Sequence, residues 1–280
     1  LHLSVHSFPT RRSSDLSDGK QRCDLQETRM KVDVLQATEN ADRLAVACAR
    51  GDYMTDSLVG VDLDKDGDYL EGVVDGITVD DDFTVDGSDD GENRTIVKRT
   101  AEAKTKTMIR RLLRRGHYGP FEHPSITFAV EGISRSCMAQ FRTHRHASFD
   151  VQSMRYVDFG EKAISTKEGA IFPDSFDREI EHVPSHATSG TVESDGDTVL
   201  GRHYYETFDL YDRLVEQGVP KEDARMVLPI GTKVNLTVSM NLRALMHVID
   251  MRHAGDCQWE ARELAEKLFN NAKEVAPITF

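Results

Sequence analysis

Residues 143–156, THRHASFDVQSMRY, gather cationic side chains and hydroxyl groups in one short stretch. His144 and Arg145 stand near its start, and Ser153 and Arg155 near its end. Guanidinium groups bind phosphate bidentately, and charge-assisted hydrogen bonds to phosphate are the strong ones. The types and spacing of these residues therefore favour a binding site for an anionic ligand.

Further arginines could join this site from other parts of the chain. Arg225 lies in the segment DARMVLP, and Arg243 and Arg252 follow Asn241. Asn241 and Arg252 are eleven residues apart, about three turns of helix, so they share a face if that helix is continuous. Any single arginine could instead form a surface salt bridge, but the set beside apolar strands favours an anion site.

Other kinds of catalytic site find little support in the sequence. No glycine-rich dinucleotide or phosphate-binding loop is present, so side chains must hold any phosphate. Ser153 lacks the GxSxG context of a nucleophilic serine, and Cys137 has apolar neighbours at helical spacing, which is typical of a core residue. The chain thus offers no convincing nucleophile, and a cofactor would have to carry any chemistry.

The sequence also predicts no metal site. His144 and His146 form an HxH pair, which points two ways on a helix, and no HExxH follows. The segment 62–67, DLDKDG, matches the start of a calcium loop, but Val73 stands where a bidentate glutamate is required.

The composition of the chain limits its partners and its location. The 280 residues hold 35 Lys and Arg against 48 Asp and Glu, a formal net charge of −13. Such acidity opposes general nucleic-acid binding and fits an organism living in high salt, such as a halophilic archaeon. No apolar run approaches the ~20 residues that span a bilayer. The four cysteines lack metal-like spacing, so we expect a reduced, cytoplasmic protein.

Apolar periodicity predicts the elements that position these residues. Strands are predicted at 30–35, 125–132 and 233–240. Helices are predicted at 41–50, 95–115, 133–141 and 203–218, with two more capped by Asn241 and Asp256. Strands and helices without a regular βαβ repeat predict an α+β fold, a mixed sheet packed with helices.

The organisation along the chain is that of one domain with additions. Residues 1–16 resemble translated adapter sequence and are expected to be non-native. Residues 30–280 are predicted to form a single domain. The acidic segment 61–92 and the polar segment 183–201 are expected to be surface insertions.

Three motifs in order resemble the flavin-dependent thymidylate synthases. That family's signature is Arg-His-Arg, seven residues, then Ser, and here Thr143-His144-Arg145 is followed by seven residues and Ser153. The upstream RGHYGPFEHPSITF and the downstream ARMVLP and 241–260 segments are similar to the family as well. The resemblance spans residues 30–280 apart from the two insertions.

The resemblance implies a definite reaction. Such enzymes methylate dUMP to dTMP with methylenetetrahydrofolate as carbon donor, and FAD relays hydride from NADPH. They are homotetramers and use no enzyme nucleophile, which agrees with the absence of a convincing one above. Nucleic acid and membranes are not expected as partners.

The resemblance also implies roles for individual residues. FAD would contact His117, Glu122, Thr143, His144, Arg145, His146, Asn241, Arg243 and His247. The substrate dUMP would contact Gln140, Val151, Gln152, Ser153, Met154, Arg155, Arg225 and Arg252. Arg252 would also act in catalysis, because a guanidinium against the uracil ring favours negative charge there.

Three positions depart from the family pattern. Thr143 replaces the first arginine of the signature, although Arg142 precedes it and could substitute; Val151 replaces a common glutamate, and His247 a common asparagine. Two alternatives remain open at this level: a non-catalytic protein that binds nucleotides or nucleic acid through the same cations, and another nucleotide-modifying flavoenzyme.

Overall fold

A four-stranded antiparallel sheet forms the centre of the molecule. The computed structural model describes residues 30–52, 57–65, 68–70, 100–160, 169–173 and 199–280. The strands are β1 (Lys31–Ala37), β2 (Ser125–Ser134), β3 (Ala147–Val151) and β4 (Lys233–Asn241), in the spatial order β1-β2-β4-β3. All three described pairings are antiparallel, so the predicted α+β class is confirmed with a sheet of antiparallel strands.

Helices pack around this sheet. They are α1 (Ala41–Gly51), α2 (Ala101–Arg114), α3 (Arg135–Phe141), α4 (Val199–Glu216), α5 (Lys221–Ala224), α6 (Leu242–Arg252) and α7 (Trp259–Val275). Short 3-10 turns occupy Gly119–Glu122 and Arg225–Val227. Helix α7 contacts β1, β2, α3 and α6, so it closes the core on one side. Leu264 and Leu268 of α7 are fully buried there.

Alternating apolar residues explain the two central strands. In β2, Ile126, Phe128 and Val130 are buried, and β4 buries every second residue in the same way. The register between β2 and β4 shifts between Val130 and Ile133, where Gly132 has a φ of 76°. A residue with a side chain is strained at that φ, so glycine permits the bulge that carries β2 on to α3.

Several predicted element boundaries are corrected by the structure. Helix α3 begins at Arg135 rather than Ile133, because β2 continues to Ser134. Helix α4 begins at Val199 rather than His203. The start of α7 is capped by the side chain of Gln258, which accepts from the Ala261 amide, and not by Asp256. Helix α2 begins at Ala101, after its cap Thr100, rather than at residue 95. The cap of α6 by Asn241 is confirmed.

The described part of the predicted acidic insertion packs against helices. Tyr69 is 1% exposed and its hydroxyl lies 2.8 Å from Thr105 Oγ1 of α2. Arg43 of α1 donates to the carbonyl oxygen of Leu63 at 2.9 Å. The described residues 61–65 and 68–70 of this segment thus contact α1 and α2, and the surface insertion at 61–92 stays a prediction. Residues 66–67 and 71–99 lie outside the described residues, as do 1–29 and 174–198; residues 199–201 belong to α4, so the second predicted insertion ends before them.

No helix within the described ranges is long and apolar enough to cross a membrane.

Candidate active site

The side chain of Arg252 is held by residues at the end of α3. Its Nε donates to Nε2 of His144 at 2.8 Å, and its Nη2 donates to Oγ1 of Thr143 at 3.0 Å and to the carbonyl oxygen of Gln140 at 3.5 Å. We call Gln140, Thr143, His144 and Arg252 the Arg252 cluster. It forms because the C-terminal ends of α3 and α6 meet, which brings residues 108 to 112 positions apart into contact.

Within this cluster His144 is neutral. It is 8% exposed, and burial, with Arg252 and His247 beside it, lowers its pKa from 6.5 to about 4. Because Nε2 accepts the bond from Arg252, the proton of the neutral ring must lie on Nδ1. The ring also packs edge-on against Phe141, with centroids 5.7 Å apart. None of the three acceptors of Arg252 is anionic, so no bonded carboxylate offsets its positive charge.

A second cluster of charged and polar residues surrounds Arg155 and includes two arginines. Nη2 of Arg155 lies 2.6 Å from Oε2 of Glu222, and Nε of Arg225 donates to the main-chain oxygen of Glu222 at 2.9 Å. The amide of Arg155 donates to Oγ of Ser153 at 3.3 Å. We call Ser153, Arg155, Glu222 and Arg225 the Arg155 cluster. The side chains of Arg155 and Glu222 are about half exposed, and exposed ion pairs contribute ~1 kcal/mol or less, so a phosphate can replace the carboxylate at low cost.

Arg135 and Arg142 add positive charge near the Arg155 cluster. Burial lowers the pKa of Arg135, and the neighbouring charges of Arg225 and Arg142 lower it further. The guanidinium groups of Arg135, Arg142 and Arg225 are therefore close enough to repel one another and together form a region of positive potential. Sequence analysis did not single out Arg135; its spacing of seven from Arg142 across a helix, which places both on one side, was the available signal. Glu222 was missed as well, because its partner lies 67 positions away.

The residues predicted to contact FAD are spread from the start of α6 to the end of α3. Arg243 forms an ion pair with Glu122, and Asn241 caps α6 by accepting from the Ala244 amide at 2.8 Å. The exposed His247 lies next to His144, with ring centroids 6.2 Å apart.

Three other predicted flavin contacts lie on either side of this region. His117 lies 3.4 Å from a carboxylate oxygen of Asp52. Arg145 and His146 are exposed immediately after the buried His144. The structure thus pairs Glu122 with Arg243 and His144 with His247. Arg145 and His146 follow His144 directly in the sequence, and His117 precedes Glu122 by five residues.

Three residues predicted to contact the nucleotide make structural contacts in the fold: Val151, Gln152 and Met154. Val151 is the last residue of β3 and pairs with Leu236. Gln152 exchanges two hydrogen bonds with the Asn235 backbone, at 2.9 and 3.3 Å. Met154 is 6% exposed in the core. Their contacts with a nucleotide stay a prediction.

An open groove of about 490 Å³ crosses the sheet. Its lining residues are 129–131, 150–152 and 235–237. Glu131 and Asp150 contribute carboxylates to it, and these disfavour a phosphate. The Arg155 cluster, with Arg135 and Arg142 near it, therefore marks the better anion site.

Neither a nucleophile nor a metal centre stands out among the described residues. Cys137 is 1% exposed, and burial, with Glu260 nearby, raises the pKa of its thiol, so it is protonated and inaccessible at neutral pH. No group of three or more His, Cys, Asp or Glu side chains comes together there as a metal site.

Comparisons with known proteins identify the family of this chain. The family model of the thymidylate synthase complementing proteins matches residues 33–278. A flavin-dependent thymidylate synthase of Halobacterium salinarum is 42% identical over 258 residues, which cover 90% of this chain and 94% of the relative. The enzyme of the same name from Haloarcula marismortui is 41% identical, with the same coverage of both chains.

A solved structure gives the same relationship at the level of the fold. The UMP/dUMP methylase PolB from Streptomyces cacaoi, bound with 5-Br dUMP, superposes with a TM-score of 0.59 at 25% identity, over 90% of this chain and 93% of that one. Family model, relatives and fold point the same way: the chain belongs to the flavin-dependent thymidylate synthases, a family of methyltransferases.

Proposed function

We propose that the protein methylates C5 of the uracil ring of dUMP to give dTMP, with methylenetetrahydrofolate as carbon donor and NADPH as reductant. The observation that carries this proposal is the Arg252 cluster, in which a guanidinium is fixed by neutral groups and keeps its charge. The 42% identical relative, named a flavin-dependent thymidylate synthase, supports the reaction. PolB, named a UMP/dUMP methylase and bound with 5-Br dUMP, supports a uracil nucleotide as substrate.

The Arg155 cluster supplies the groups that a nucleotide phosphate requires. Arg155 and Arg225 offer guanidinium donors, and Ser153 offers a hydroxyl close to the Arg155 amide. A phosphate dianion interacts with two guanidinium groups more strongly than the single exposed carboxylate of Glu222 does. We therefore assign the phosphate of dUMP to this cluster. Gln140, Val151, Gln152 and Met154 are proposed to contact the rest of the nucleotide.

The residues proposed to hold FAD fit a flavin dinucleotide in their chemistry. Its diphosphate needs exposed donors and positive charge, and Arg145, His146 and Arg243 are all exposed. Glu122 orients the Arg243 side chain through their ion pair. His117, His144, Asn241 and His247 complete the proposed set, whereas the hydroxyl of Thr143, from the same motif, bonds to Arg252. When bound, FAD supplies the hydride that converts the transferred carbon into a methyl group.

Arg252 is proposed to activate the uracil ring by its charge. A fixed cation against the pyrimidine stabilises negative charge that develops on it, which makes C5 a better nucleophile. His144 contributes by accepting the Nε bond in its neutral form, so it adds no second charge. No thiol has to attack the ring, in agreement with the buried position of Cys137.

We further propose that the protein is a homotetramer and works in the cytoplasm. Tyr156, Met226 and Ile230 are 78%, 81% and 74% exposed and lie beside or near the Arg155 cluster in sequence. A contiguous apolar patch on a protein surface marks an interface, and these three residues are proposed to contribute to one. The described cysteines Cys48, Cys137 and Cys257 form no disulfide with one another, which supports a reducing compartment.

The test is an absorption spectrum and a product assay on the purified protein. We expect a flavin absorbance between about 350 and 500 nm that changes when dUMP is added, and formation of dTMP only when both the folate and NADPH are present. UMP, offered beside dUMP, determines which sugar is accepted. A protein that takes up no FAD when reconstituted in high salt contradicts the proposal, and light scattering tests the tetramer separately.

A further inference from the structure

The hydroxyl of Thr143 makes two hydrogen bonds at once. It donates to the carbonyl oxygen of Gln140 at 2.8 Å and accepts from Nη2 of Arg252 at 3.0 Å. A hydroxyl has one donor and two acceptor positions, so both bonds are compatible. A valine of the same shape can make neither, and an arginine offers only donors. Thr143 therefore meets a geometric requirement that few side chains can meet.

The bonds to Arg252 fix the plane of its guanidinium. Nε is bound to His144, and Nη2 is bound to Thr143 and Gln140, so one edge of the planar group is held against residues 140–144. The three bonds do not include Nη1, which lies on the opposite edge. Removing the bond of Thr143 leaves Nη2 with only the long 3.5 Å contact to the Gln140 carbonyl. The guanidinium could then rotate about the remaining bond to His144.

We propose that Thr143 is a positioning residue for Arg252, and that its hydroxyl aims the edge of the guanidinium that carries Nη1 at the uracil ring. This rests on the proposed function. It also gives Thr143 a task different from the flavin contact that its sequence position implies. A threonine here leaves Arg252 as a single cation, whereas an arginine at 143 would place a second positive charge within a few ångströms of it.

A purely structural role for Thr143 has different consequences. The bond from Thr143 to the Gln140 carbonyl closes the last turn of α3 and would exist without any function for Arg252. Loss of that bond alone would change stability but leave the turnover of folded enzyme and the environment of His144 unchanged. Turnover and the titration of His144 thus separate positioning from packing.

The first experiment compares three variants of the full chain. Thr143→Val removes the hydroxyl, Thr143→Ser keeps it, and Thr207→Val removes a matched hydroxyl that bonds only within α4, to the His203 carbonyl at 2.7 Å. We expect Thr143→Val to lower kcat about ten- to a hundredfold with FAD content and the KM for dUMP little changed, because misplacement by about 1 Å costs up to 10²-fold in rate. Thr143→Ser and Thr207→Val should stay within about threefold of the wild type.

The second experiment measures the His144 imidazole by NMR on histidine-labelled protein. Burial is the main cause that lowers its pKa to about 4, and Arg252 is the second, so a loosened guanidinium should let that pKa rise part of the way towards 6.5 in Thr143→Val but not in Thr143→Ser. This titration needs no turnover, so it tests the positioning role even if the wild-type protein makes no dTMP, which would refute the proposed function alone.

Three results would overturn the positioning role. One is an unchanged kcat and an unchanged His144 titration in Thr143→Val. Another is a parallel loss of kcat and FAD, which would place Thr143 against the flavin instead. The third comes from a double-mutant cycle in an Arg252→Lys background. If Thr143 acts through Arg252, Thr143→Val should have little further effect on kcat there, because the bond it removes is already absent. An effect as large as in the wild-type background would show that the two residues act independently.

Discussion

Arg252 shows how a charge can be fixed without being cancelled. Its acceptors are an imidazole nitrogen, a hydroxyl and a main-chain oxygen, all uncharged. A carboxylate would hold the side chain more tightly but would offset the positive charge that the reaction needs. Neutral acceptors therefore suit a residue that must stabilise charge elsewhere, on the uracil ring.

Replacing Arg252 with alanine should affect catalysis far more than flavin binding. We expect Arg252→Ala to lower kcat by about 10²- to 10³-fold, the usual cost of removing a preorganised charge-stabilising group. FAD content per chain, measured from absorbance, should remain near that of the wild type. Arg213→Ala is the control, because Arg213 forms an exposed pair with Asp209 in α4. Equal losses of turnover and flavin would mean that Arg252 is structural.

The neutral state of His144 makes stability depend on pH. Burial, with Arg252 and His247, lowers its folded-state pKa from 6.5 to about 4, so the unfolded chain binds a proton at a higher pH than the folded chain. The stabilisation present above pH 6.5 should therefore be lost as pH falls towards 4. In Arg252→Ala the pKa lies closer to 6.5, so less should be lost. Urea unfolding at pH 7, 5.5 and 4.5 measures this, and parallel curves for the two proteins would contradict it.

Residue types in the site could be predicted from the sequence, but their pairings could not. The signature at 143–153 identified His144 and Ser153, and the α6 segment identified Arg252. The bond between His144 and Arg252 joins positions 108 apart, and no local pattern encodes such a contact. Thr143, predicted as a flavin contact, was for the same reason not recognised as a partner of Arg252.

Among the elements, α3 is held at both of its ends by residues of other helices. Its cap Ser134 has its amide and its hydroxyl each 2.6 Å from an oxygen of Glu260, which is 3% exposed at the start of α7. At the other end, Arg252 of α6 binds the last turn of α3. Two helices joined by the 253–258 segment thus hold α3 from both sides, and α3 in turn positions residues 140–144.

Removing the cap of α3 should therefore cost more than removing the cap of an exposed helix. In Ser134→Ala the helix loses its side-chain cap and a buried oxygen of Glu260 loses its partner, so we expect a loss of about 2–4 kcal/mol in the free energy of unfolding. Thr100→Ala removes the exposed cap of α2, where the hydroxyl accepts from the Ala103 amide at 3.3 Å, and should cost only about 1 kcal/mol. Chemical denaturation measures both, and equal losses would show that Glu260 adds nothing at α3.

Strands with clear alternation could be predicted, whereas β3 and several helix ends could not. β4 alternates apolar and polar residues over its whole length and was recognised. β3 is only five residues long, with a partly buried pattern, and its pairing with β4 supplies most of its definition. The bulge at Gly132 extends β2 beyond the predicted end, and this depends on tertiary pairing rather than on local propensity.

At the scale of the whole molecule, the negative charge and the cationic site belong to different regions. The chain carries 48 acidic residues against 35 basic ones, and exposed carboxylates such as Glu39, Asp223 and Asp250 contribute to this excess. The arginines near α3 form a local region of opposite sign that is suited to a nucleotide anion. Repulsion among the remaining carboxylates opposes the compact state, and dissolved salt weakens that repulsion.

The unfolding temperature should therefore rise with salt and then level off. The Debye length falls from about 10 Å at 0.1 M to about 3 Å at 1 M, so most of the repulsion within a formal charge of −13 is screened below about 1 M KCl. We expect an increase of several degrees over that range, followed by a smaller slope. Sucrose, which stabilises proteins by exclusion without screening charge, is the control and should give a steady increase instead. A midpoint that is flat in KCl, or that rises as steadily as in sucrose, would show that charge repulsion does not limit the stability of this fold.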